Sequence, residues 1–94
     1  MKIRYSGHLL TRLRMRDIPE HIPRLVYGKA TRRFFDTETG HAIAVSHIAF
    51  FGKERDVAVT YREDHGEVLL ITIHPLKQNQ IDNRLKTGRW KPHG

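Results

Sequence analysis

The stretch HLLTRLRMRDIP, residues 8–19, sets His8, Arg12 and Arg16 at spacings of four. On a helix these three stack along one side, with Leu9 and Leu13 beside them as a core stripe. Like charges at that spacing cost an isolated helix about 0.2–0.5 kcal/mol per pair, a cost that an anion laid across them would offset. Histidine and arginine are also residue types suited to RNA cleavage without a metal. That reaction needs a base for the 2′-hydroxyl, cations for the charge that builds on the phosphoryl oxygens, and an acid for the leaving oxygen. His8, Arg12 and Arg16 are the candidate catalytic centre on this basis. The plainer alternative is that His8 packs the helix start while the arginines pair with acidic turns.

Other residues join as candidates by position. His74 ends an apolar strand beside Pro75 and is a second catalytic candidate, provided that it approaches His8. Arg62 shares strand parity with Thr60, so it ranks above Tyr61 as a site residue. Arg14 lies on a different helix face from Arg12 and Arg16, and with Arg32, Arg33, Arg84 and Arg89 it is a candidate RNA contact. Trp90, between Arg89 and Lys91, is the expected exposed aromatic for stacking on a base. His47 falls on the parity of Ile43 and Val45, which favours a hydrogen-bonded core histidine. The chain has seven histidines but no HExxH or comparable spacing, so neither a metal nor another cofactor is expected.

The charge is unevenly placed. Residues 1–35 hold nine Lys/Arg against Asp17 and Glu20, residues 36–76 hold three against seven Asp/Glu, and residues 77–94 hold five against Asp82. A surface built from the two basic ends attracts a polyanion by releasing its condensed counterions, which makes RNA the expected partner. The absence of cysteine excludes disulfides, thiolate metal sites and cysteine nucleophiles. No run approaches the roughly 20 apolar residues that cross a bilayer, so no membrane partner and a cytoplasmic location are expected.

The elements that must position these residues follow from periodicity. Ninety-four residues suit a single domain. Ser6 is a good helix cap, and two helices are expected over about 6–27, the second interrupted or begun by Pro23. From Thr31 the period becomes that of strands. TRRFFD, HAIAVSHIAFF, DVAVTYRE and EVLLITIH, joined at TETG, GKER and DHG, predict a four-stranded antiparallel sheet over about 31–74. A C-terminal helix and tail over 77–94 carry Ile81 and Leu85 on one helix face and end near Gly88. The expected class is α+β: two N-terminal helices, the four-stranded antiparallel sheet covered on one face, and a C-terminal helix.

The pattern His8-x3-Arg12-x3-Arg16-x-Ile18, followed by a short helix and an antiparallel meander, resembles a bacterial and archaeal family of small domains of unknown function. That family is similar to the RelE toxins, within the superfamily of barnase, EndoU, colicin and RelE ribonuclease folds. The resemblance covers roughly residues 6–74 and carries over to His8, Arg12 and Arg16. It implies a RelE-like fold, a toxin–antitoxin setting with an antitoxin protein as partner, and metal-independent endoribonuclease activity. Asp17 stands where a glycine is expected between the helices, Pro19 replaces the usual polar cap, and Pro23 interrupts the second helix. The alternative function is a non-catalytic RNA- or partner-binding module of the same fold.

Overall fold

The chain opens on a strand that sequence periodicity does not reveal. The computed structural model describes residues 2–93, and Lys2–Tyr5 forms β1, parallel to a later strand. Ser6 then turns the chain. Its hydroxyl accepts a hydrogen bond from the Leu9 N–H at 3.0 Å and donates to the Ile71 carbonyl at 3.2 Å, so it caps α1 (Gly7–Met15) and anchors it to the sheet.

The C-terminus of α1 is closed by a Schellman motif. The Ile18 N–H donates to the Leu13 carbonyl at 2.9 Å, the Asp17 N–H to that of Arg14 at 3.4 Å, and Asp17 takes φ 52°. Leu13 and Ile18 are buried in one cluster, the apolar contact that accompanies this motif. α2 (Ile22–Lys29) starts with Pro23 in its first turn, where its missing N–H costs nothing.

Four longer strands follow: β2 (Arg32–Asp36), β3 (Ala42–Phe50), β4 (Lys53–Asp64) and β5 (Glu67–Pro75). The β3–β4 turn is Phe51–Gly52 and the β4–β5 turn is His65–Gly66, each with positive φ at both positions. That is the twist-matched turn of a two-residue hairpin. β4 therefore runs back through Lys53, so most of GKER lies in strand. After β5 come α3 (Gln80–Lys86) and a short β6 (Trp90–Pro92).

The expected sheet is corrected on two counts. It has six strands rather than four, in the order β1-β5-β4-β3-β2-β6, and it is mixed, because β1 pairs with β5 in parallel. Four residues of KIRY and three around Trp90 are too short to show a strand period, yet each pairs along a sheet edge that another strand already supplies. The resulting sheet carries helices on both faces.

On one face α1 and α2 cross from β1 to β2, and Leu9, Leu13 and Val26 bury against Ala44, Val57, Val59, Tyr61, Val68 and Leu70. On the other, the segment carrying α3 passes back toward β6. Ile81 and Leu76 pack there against Phe34, Ile43, Val45, Ala58 and Trp90. At roughly 25 cal/mol per Å² of apolar surface buried, the larger cluster is the main source of stability.

A bulge in β5 decides which residues reach the second face. Thr60 pairs with Thr72 but Tyr61 pairs with Leu70, so Ile71 is the extra residue. Val68 and Leu70 face α1, whereas Thr72 and His74, beyond the bulge, face α3. Without it, simple alternation would put all four on one face.

Candidate functional site

α1 carries His8, Arg12 and Arg16 on its solvent side while Leu9 and Leu13 are buried beneath. His8 and Arg12 lie one turn apart within the helix, and Arg16 is its C-cap. All three are exposed, and none makes a side-chain hydrogen bond or ion pair among the described residues. Arg14 is exposed on a neighbouring side, above a groove lined by Leu10, Asp17 and Pro19.

His74 does not join this stripe. It pairs with Ala58 on the face that carries α3, with the sheet between it and α1. Arg62 is exposed near the far end of β4, by a separate groove with Phe35, Glu63 and His93. The five candidate catalytic residues therefore occupy three separate places.

Arg32 and Arg33 point to opposite sides of β2. Arg32 pairs with Asp56 at 2.9 Å, and the same carboxylate oxygen is 3.0 Å from His47 Nδ1. Burial pushes the Asp56 carboxyl up, but the hydrogen bonds from His47 and Arg32 outweigh it, leaving the group below its ordinary value. His47 is 60% exposed in its side chain, so it is a surface hydrogen-bond partner of Asp56 and not a core histidine. Arg33 donates to the Tyr27 carbonyl at 2.7 Å and the Tyr61 hydroxyl at 3.2 Å, with its guanidinium 4.6 Å and 5.5 Å from the two ring centres. That side chain joins α2 to the sheet.

The remaining candidates meet in a cleft of about 270 Å³ between α3 and the second face of the sheet. His74, Arg84, Arg89 and Trp90 all line it, as do Asp36, His41, Thr60 and Thr72. Trp90 is the correction here. It is 4% exposed, stacked on Phe34 at 5.4 Å, and so cannot be a surface platform for a base. β6 brings it inward, where its apolar ring completes the smaller core. Its indole N–H and His41 Nδ1 are both buried without a hydrogen-bond partner among the described residues.

The charges in the cleft are unequally matched. Arg89 lies 3.4 Å from both Asp36 and Glu38. Burial raises the Asp36 carboxyl, yet hydrogen bonds from the Glu38 N–H, the Arg89 guanidinium and the Thr39 N–H bring it below its ordinary value. Arg84 has no such partner: its guanidinium makes no hydrogen bond or ion pair among the described residues. Burial first, and then the Arg84 charge, hold the His74 imidazole below its usual basicity. Thr60 and Thr72 share a hydrogen bond of 2.6 Å across β4 and β5. Between them one hydroxyl proton is used and one remains to donate.

Sequence reasoning missed Asp36, His41, Thr60 and Thr72 as site residues. The DTETG turn held a signal for Asp36, since an aspartate opening a turn accepts from the next N–H groups, as it does here from Glu38 and Thr39. Thr60 shares the parity of Ala58 on β4, whereas Thr72 reaches the cleft only through the bulge at Ile71.

Among the described residues, no group of three or more histidines, aspartates or glutamates could hold a metal ion, and no helix is long and apolar enough to cross a membrane. Compared with protein-family models, with curated proteins and with solved structures, the chain finds no match. The RelE-like resemblance thus rests on the sequence alone: the pattern around His8, Arg12 and Arg16 and the short helix and meander expected after it.

Proposed function

We propose that this domain binds RNA, with the phosphates of a single strand lying along α1. The observation that carries the reading is that His8, Arg12 and Arg16 are exposed and have no side-chain partner among the described residues, while Arg4, Arg32 and Arg89 elsewhere are matched with acids. Exposed cations without protein partners release counterions when they meet a polyanion, and a net charge of +7 draws such a ligand in.

A second reading, a toxin-like metal-independent endoribonuclease restrained by an antitoxin, has one observation in its favour. His8 lies one helical turn from Arg12 on an accessible surface, so a base and a cation are available to one phosphate. The second histidine expected for it, His74, lies across the sheet.

One pair of measurements separates the two. Single-stranded RNA is titrated with the protein at several salt concentrations, and the same RNA is incubated with it in EDTA. Salt-sensitive binding to intact RNA supports the binding module. Fragments ending in 2′,3′-cyclic phosphate, formed by the wild type and lost in His8→Ala, support the enzyme. Binding that is absent or insensitive to salt overturns the RNA reading.

A further inference from the structure

A cleft lies beneath α3, on the opposite face of the sheet from α1, and what it could bind is independent of the RNA reading. Three observations meet there. Arg84 places at its wall a cation with no ion-pair partner among the described residues, the Thr60–Thr72 pair leaves one hydroxyl proton to donate, and His74 lines the same floor. The carboxylate that would otherwise neutralise Arg84, Asp36, is occupied by Arg89.

These groups come from three elements: β4 supplies Thr60, β5 supplies Thr72 and His74, and α3 supplies Arg84. A planar carboxylate takes donors in one plane, whereas a tetrahedral oxyanion can use all three. At about 270 Å³ the cleft sits just under the roughly 300–1,000 Å³ usual for small-molecule sites, so it suits a small guest. The Trp90 ring is spent on Phe34 and offers no face on which a nucleobase would stack. We propose that this cleft binds a phosphoryl group, as free phosphate or a small aliphatic monoester, through Arg84 and the Thr60–Thr72 hydroxyl pair.

The chain contains one tryptophan, so its indole N–H gives one resolved NMR signal inside the proposed site. Full-length ¹⁵N-labelled protein is titrated separately with inorganic phosphate and with glycerol 3-phosphate, each against sodium chloride of matched ionic strength. A saturable movement of the indole signal with either phosphate compound, absent with chloride, is the expected result. The tighter of the two compounds identifies the source of the phosphoryl group. Arg84→Gln is expected to weaken binding about 10–100-fold, the loss of one charge-assisted hydrogen bond. Arg84→Lys, which keeps the charge but not the fork, should fall between and guards against a folding defect in Arg84→Gln. An indole signal unmoved by both compounds, moved equally by chloride, or titrating identically in both Arg84 variants overturns the proposal.

Discussion

The hydroxyls of Thr60 and Thr72 meet at 2.6 Å across β4 and β5, immediately beside the residue where the strand register slips. Replacing either by valine keeps the volume and leaves its half-buried partner without a bond. Each single change is expected to cost about 1 kcal/mol, and the double change less than the sum, because the second removes an already unpaired group. Urea unfolding of the two single variants and the double variant measures this; strictly additive losses would mean that the hydroxyls act separately.

Stability should depend on pH through His74. Its folded-state pKa is lowered by burial and by Arg84, so the unfolded chain binds more protons there than the folded one. The associated stability is fully present above the unfolded value of about 6.5 and is lost as pH falls below it toward the folded value. Asp36 and Asp56, whose folded values are depressed, lose their contributions only lower, as pH falls through the carboxylate range. Thermal unfolding across this range should therefore show an early decline starting near pH 6.5, and His74→Gln should remove that early part alone.

Asp17 holds a left-handed conformation that glycine adopts freely, at the negative end of the α1 dipole. For an ordinary residue that conformation costs about 1–2 kcal/mol, against about 0.5–1 kcal/mol for the extra freedom glycine loses. Asp17→Gly is expected to stabilise the fold by about 0.5–1 kcal/mol, with a rise in melting temperature. Asp17→Asn should gain less, since it removes the charge next to the helix end but keeps the side chain. A fall in melting temperature for Asp17→Gly would contradict the strain argument.

How much of this was legible in the sequence depends on the length of each element. The helix around Leu9 and Leu13 and the long strands with glycine turns announce themselves, because several repeats of a period accumulate. β1 and β6 do not: neither exceeds two alternations, and the pairing partner of each lies more than 50 residues away in the chain. The site was half legible. Arg84, Arg89, Trp90 and His74 stood out as basic, aromatic or titratable. That they converge, and that Trp90 turns inward, follows from the crossing of α3 and from β6 pairing with β2. The bulge at Ile71 has no signature in IleThrIleHis, and it alone moves Thr72 and His74 to the cleft.

Arg33 and Arg12 are both arginines of the basic N-terminal third, and they should behave oppositely. Arg33→Lys loses the planar fork that serves the Tyr27 carbonyl and the Tyr61 hydroxyl together, along with its stacking over two rings. The expected loss is about 1–2 kcal/mol of stability, seen in chemical unfolding, with RNA affinity of the folded protein unchanged. A variant as stable as the wild type would show that the guanidinium does not tie α2 to the sheet.

The exposed stripe on α1 gives the converse. If about four phosphates are contacted, log K for single-stranded RNA falls against log salt with a slope of roughly −3. Each arginine that meets a phosphate contributes about 0.7 to that slope. Arg12→Ala combined with Arg16→Ala should therefore reduce its magnitude by about 1.4, while melting temperature changes little, since neither side chain has a protein partner among the described residues. Arg84→Gln should leave the slope intact, because its guanidinium lies in the cleft on the other face of the sheet. The comparison uses folded variants at equal concentration, with anisotropy of a labelled single strand as the readout. Equal reductions from the α1 pair and from Arg84 would place the strand across both faces, and an unchanged slope in the α1 double variant would remove α1 as the binding surface.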